Sequence, residues 1–146
     1  MRASDTERDV FDASTARGAT GSLALFNAAG ILAPSDAHVA RCLGALRGGT
    51  DDATLLAAAL AARAPRLGHV CVDLAAIRDT ASSETENDVE IEALPWPATE
   101  AWLETVAGSG LTGPDLPLHL EGANLYLNRL WLDEVAVADD LRRRAE

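Results

Sequence analysis

The sequence predicts a mostly α fold: a small orthogonal helical bundle carrying one β-hairpin, with a winged-helix-like outline. Three observations lead there. Several stretches repeat apolar residues at helical spacing and end at Gly or Pro. One stretch near the C-terminus alternates leucine with polar residues on either side of Gly122-Ala123. A chain of 146 residues, 48% of them hydrophobic, can bury one modest core but not two.

Residues 1–21 contain no apolar run, so they read as a flexible tail, neither signal peptide nor anchor. Residues 22–146 read as a single domain. The stretch Ser22–Gly30 predicts a short helix with Leu23 and Phe26 on one face and Gly30 as its stop. A second helix follows, with Ser35 as N-cap and an apolar stripe of Val39, Cys42, Leu43 and Leu46, ended by Gly48-Gly49. A third starts at Thr50–Asp52 and runs to about Arg63, with Leu55, Leu56 and Leu60 as its large side chains and Pro65 as its stop.

The segment "GHVCVDL" (68–74) then reads as brief extended chain, because Val70 and Val72 are β-branched and alternate with Cys71. Residues 78–92 lose periodicity and gain acid, which predicts a solvated loop. Order returns where Pro95 and Pro97 hold Trp96, and Trp102 with Val106 marks a helix closed by Gly108. In the hairpin, Leu118, Leu120, Leu125 and Leu127 share one face, and Tyr126 and Asn128 lie on the other. Gly122-Ala123 suits a type II′ turn. The last helix sets Trp131, Val135 and Ala138 on one stripe, with Arg142–Arg144 complementing its dipole.

Composition excludes several functions. The net charge is −11, which opposes phosphate-backbone binding. All twelve cationic side chains are arginine. Without lysine this chain has neither a P-loop cation nor a Schiff-base amine, so ATP hydrolysis and pyridoxal chemistry by this chain are excluded. No apolar run approaches the roughly 20 residues of a membrane span, so no membrane contact is expected and the cytoplasm is the expected compartment. Cys42 and Cys71 do not form a C-x-x-C pair and read as buried, inert thiols. His69 and Cys71 could share a strand face, but a structural zinc site needs two more ligands, and no second close pair of them exists. A Cys–His nucleophile would need an orienting group and an oxyanion hole, for which there is no local signature. The acid pairs Asp51/Asp52, Asp133/Glu134 and Asp139/Asp140 read as caps or solvated helix faces, and Gly108–Gly110 as a linker. No catalytic, cofactor or metal site is predicted.

Two stretches carry a family resemblance. Leu55–Ile77 contains Gly68, His69, Val70 and Cys71 after an Ala-rich helix; Leu118–Leu141 contains Leu125, Tyr126, Leu127, Asn128, Arg129 and Trp131 in a strand leading into a helix. Together they resemble the N-terminal domain of RecD, the α subunit of the RecBCD helicase–nuclease (exodeoxyribonuclease V), over about Ser22 to Ala145. The resemblance implies a non-catalytic docking domain that attaches a 5′→3′ helicase motor to a RecC-like subunit. ATP and Mg²⁺ would belong to motor domains that this chain does not contain, and DNA would be met only through the full complex. It also implies a packing role for His69 and Cys71. Tyr126, Asn128 and Arg129 are the expected partner contacts. The competing reading is a stand-alone winged-helix-like DNA-binding or interaction protein.

Overall fold

A computed structural model describes residues 15–85 and 89–146. The expected tail lies mainly outside these residues. Its described end is fastened: the Ala16 N–H donates to Asn27 Oδ1 (2.8 Å), and Arg41 donates to the Arg17 carbonyl (3.0 Å).

Helix α1 (Gly21–Ala28) buries Leu23 and Phe26 as expected. Its first turn is capped from elsewhere, because the Asp52 carboxylate accepts from both the backbone N–H and the hydroxyl of Ser22. Negative charge at that position also suits the helix dipole. Gly30, at φ +77°, turns the chain directly after the helix.

Helix α2 (Pro34–Leu46) presents a different face from the one predicted. Ala37, Ala40 and Gly44 are buried, whereas Val39 and Cys42 are exposed and Leu46 is 78% exposed. The reason is distance between helix axes. A Cβ on Gly44 would already sit 3.0 Å from Leu55 Cδ2, so α2 approaches its neighbour through its smallest side chains. The predicted Ser35 cap is also replaced: Asp36 Oδ2 accepts from the Ala33 N–H at 2.8 Å.

Helix α3 (Asp52–Arg66) is the centre of the core. Leu56–Ala61 are all essentially buried, and Asp51 caps the start by accepting from the Thr54 N–H (3.0 Å) and hydroxyl (2.7 Å). The helix runs through Pro65 to Arg66 rather than ending at Arg63. It closes in a Schellman motif: Gly68 N–H donates to Pro65 O (3.2 Å) and His69 N–H to Ala64 O (2.9 Å). Gly68 takes φ +85° with nothing within 4 Å of a built Cβ, so its glycine is required by conformation alone. Gly68→Ala is therefore expected to cost about 1–2 kcal/mol, the left-handed penalty with no clash added. Chemical denaturation of the two forms measures it directly.

The extended segment becomes strand β1 (Cys71–Asp73) and joins the hairpin. Strands β2 (Leu118–Glu121) and β3 (Asn124–Leu127) pair with Leu118 opposite Leu127 and Leu120 opposite Leu125; the sheet is antiparallel with order β1-β3-β2. Gly122 has φ +61° and, among the described residues, no non-Gly residue has positive φ, as the predicted II′ turn requires. Leu118, Leu125 and Val72 are buried on the inner face, while Leu120 and Leu127 are half-buried.

Helix α4 (Ile77–Thr80) and a 3₁₀ turn (Ile91–Ala93) flank residues 81–90. The described part of that loop is tied down rather than solvated. The Glu84 N–H donates to Gly30 O (2.8 Å) and the Ser83 hydroxyl to Ala29 O (2.9 Å). Glu84 also meets Arg66, whose guanidinium is clamped on two sides. It donates to Asp36 (3.1 and 2.7 Å) and to Glu84 (2.9 and 3.0 Å). This pairing keeps the guanidinium fully charged and holds the Glu84 carboxyl below its ordinary range, against the opposing effect of burial. Arg63 beside it is buried, bonding Ser82 O at 3.1 Å, and burial lowers its pKa against the pull of Glu84 and Asp36. The network fastens α2, α3 and the loop together.

Helix α5 (Thr99–Ala107) buries Trp102 and Val106. Trp102 Nε1 donates to Ala53 O at 2.8 Å. Trp96 Nε1 donates to Ile91 O at 2.7 Å, and the Trp96 ring packs edge-on against Phe26 with centroids 4.6 Å apart. Helix α6 (Asn128–Ala145) departs from expectation: no residue along it is buried, and Val135 is exposed. It leaves the hairpin and projects outward. Ion pairs within the helix support its far end, Arg142 with Asp139 (3.0 Å) and Arg144 with Asp140 (2.8 Å). No helix among the described residues is long and apolar enough to cross a membrane.

Candidate functional site

Strand alternation decides what the sheet shows outward. Because Val72, Leu118 and Leu125 face the core, their neighbours Cys71, Asp73, His119, Glu121, Asn124 and Tyr126 face away from it. The register lines them up in two rows across the strands. One row is Cys71, Tyr126 and His119; the other is Asp73, Asn124 and Glu121.

The first row is aromatic and is completed by α6. Trp131 stacks on His119 with centroids 4.0 Å apart and planes 11° from parallel, and meets Tyr126 edge-on at 5.2 Å. His119 Nε2 lies 3.0 Å from Glu121 Oε2, which fixes the imidazole in the stack. Burial above all, with Cys71, Glu134 and Glu121 beside it acting in the same direction, raises the Tyr126 hydroxyl above its ordinary value. The row is half-buried: its rings support one another, and their remaining surface is open.

The expected contact residues are thus divided by the structure. Tyr126 lies on the outer face as predicted. Asn128 does not, because the strand ends at Leu127 and Asn128 is the first residue of α6. Its amide donates to Pro114 O (3.2 Å) and its backbone N–H to Pro117 O (2.8 Å), fastening the loop before the hairpin. Arg129 is exposed, but two residues before Trp131 on a helix it stands on the opposite flank from the aromatic row. Trp131, expected on one stripe with Val135 and Ala138, is a half-buried member of the row. His119 was not among the expected contact residues; its alternation with Leu118 and Leu120 was the available signal.

His69 and Cys71 also separate. His69 is exposed beyond the end of β1, and its backbone N–H, not its ring, does the packing work in the Schellman bond. Cys71 is half-buried beside Tyr126. Cys42 is exposed on α2, with its sulfur 3.5 Å from His38 Nε2. Neither thiol is the inert core group expected. Among the described residues no three His, Cys, Asp or Glu side chains gather as a group able to hold a metal ion.

The architecture defines a small, mostly α-helical domain that packs its core helices on one side of a three-stranded sheet and turns an aromatic row, completed by α6, outward on the other. The chain belongs to the RecD N-terminal domain family: the model of "RecBCD enzyme subunit RecD, N-terminal domain" matches residues 28–126. It is 45% identical over 111 residues to the RecBCD enzyme subunit RecD of Mycolicibacterium smegmatis, covering 76% of this chain and 19% of that protein. It is 43% identical over 124 residues to the RecD subunit of Mycobacterium tuberculosis, covering 84% and 20%. The chain therefore spans about a fifth of the length of these relatives.

Proposed function

We propose that this domain is the non-catalytic docking module of a RecD-type subunit, attaching a 5′→3′ helicase motor to a RecC-like subunit of a cytoplasmic DNA-repair helicase–nuclease. The observation that carries the reading is the open aromatic row of Tyr126, His119 and Trp131 on a domain whose relatives are subunits of a multi-subunit enzyme. Tyrosine and tryptophan anchor interfaces because each couples large contact area to a directed hydrogen bond. ATP and Mg²⁺ belong, in this reading, to the motor portion of the polypeptide, and this domain requires no cofactor. The DNA-binding alternative is disfavoured by charge, since the outer face of the sheet carries Asp73 and Glu121 and the whole chain is at −11.

Calorimetric titration of the domain with the RecC-like subunit tests the proposal. Tyr126→Ala and Trp131→Ala are each expected to weaken binding by about 1–2 kcal/mol. Arg129→Ala, on the other flank of α6, is expected to weaken it less. Wild-type affinity in both aromatic variants places the interface elsewhere.

A further inference from the structure

The charge around the aromatic row is of one sign. Glu121 and Glu134 lie close enough to Tyr126 to act on its hydroxyl, and Asp73 stands in the next row of the sheet. Glu134 follows Trp131 by three positions on α6, so it occupies the same side of the helix. The row and its carboxylates thus share one corner between the sheet and α6.

The nearest cations of the chain are otherwise engaged or turned away. Arg129 stands on the opposite flank, and Arg142 and Arg144 pair with Asp139 and Asp140 of their own helix. Among the described residues no arginine forms an ion pair with Glu121 or Glu134, and Glu121 meets His119 Nε2 through one carboxylate oxygen, Oε2. Aromatic faces with adjacent carboxylates favour one kind of occupant. A cation is attracted by the ring quadrupole and by the charges at the rim, whereas a phosphate or an acidic peptide is repelled by both.

We propose that the corner formed by Tyr126, His119, Trp131, Glu121 and Glu134 receives a basic segment of the partner subunit, with an arginine or lysine side chain laid against the aromatic row. This deepens the docking reading above and rests on it. The corner supplies partner specificity: ring area selects a long cationic side chain, and the two carboxylates fix where its charged end goes.

The test is calorimetric titration with the purified RecC-like subunit at 50 and 300 mM NaCl. The variants are Glu121→Gln/Glu134→Gln, Tyr126→Ala, Trp131→Ala and the remote control Asp139→Asn. The double variant is expected to bind about tenfold more weakly at low salt and to lose much of the salt dependence seen in the wild type. Asp139→Asn should behave as wild type. Both substituted glutamates are exposed, so the melting midpoint should hold; Glu134→Gln alone, far from the hairpin turn, gives a second reading if the double variant melts early. Unchanged affinity and salt dependence in the glutamine variants, with Tyr126→Ala and Trp131→Ala still weakened, identifies an apolar occupant and overturns the cation proposal while leaving docking intact. Wild-type binding by all the variants removes both.

Discussion

Trp102→Ala is expected to destabilise the domain by about 3–5 kcal/mol, a large part of the stability of any domain this size. Trp102 is 2% exposed, and two separate losses follow from removing it. The indole fills the contact between α5 and α3 and lies near Trp96, with centroids 6.4 Å apart, so truncation opens a cavity that the flanking helices cannot fully close. Its N–H also satisfies Ala53 O in the first turn of α3. Trp102→Phe keeps much of the volume and loses that bond, so it should cost markedly less. Urea denaturation of the three forms separates the two contributions, and near-equal costs for Ala and Phe would mean that the hydrogen bond, not the volume, dominates.

Arg66→Met is expected to cost about 2–3 kcal/mol, although Arg66 is itself about a third exposed. What it leaves behind is the difficulty. The Asp36 side chain is 2% exposed and would retain only the Ala33 N–H as a hydrogen-bond partner, with the Arg63 guanidinium as its remaining nearby cation. Asp36→Asn, which removes that charge, is expected to be milder. The same clamp gives stability a pH dependence. Glu84 is held below its ordinary value chiefly by the Arg66 hydrogen bond, so the stabilisation is fully present above the unfolded carboxylate value of about 4.3 and is lost as pH falls through the lower folded value. Denaturation midpoints at pH 7 and pH 3 should therefore fall more steeply in the wild type than in Arg66→Met. Parallel profiles would show that the clamp contributes nothing in acid.

The parts of the fold that the sequence made legible are those governed by local periodicity. Alternation about Gly122-Ala123 placed the hairpin, its turn and the outward Tyr126, because a strand reverses its faces at every residue. Helix α2 was misread for an equally physical reason. Periodicity weights large apolar side chains, and Val39, Cys42 and Leu46 form a good stripe; but close contact between helices selects small volume, so Ala37, Ala40 and Gly44 went inward. The Arg66 clamp joins residues 30 and 18 positions away, a pairing that no window of sequence displays. The aromatic row was half visible. Tyr126 follows from alternation within β3, whereas its neighbours Cys71 and His119 depend on register between strands, and Trp131 depends on the direction in which α6 leaves the sheet.

The strand order has a consequence for how the chain reaches this state. Helices α1 to α3 and the β2–β3 hairpin are built from neighbours in sequence and can form early. The β1–β3 ladder instead joins segments roughly 50 residues apart, and the length-dependent part of that closure alone costs about 3.5 kcal/mol. Contacts of this kind slow folding, since the chain entropy is lost before the ladder returns any stabilisation. During synthesis, too, β1 emerges long before its only pairing partner. The β1–β3 ladder is thus the late piece that converts a set of helices and a loose hairpin into one cooperative unit, and only with it does Cys71 join the aromatic row.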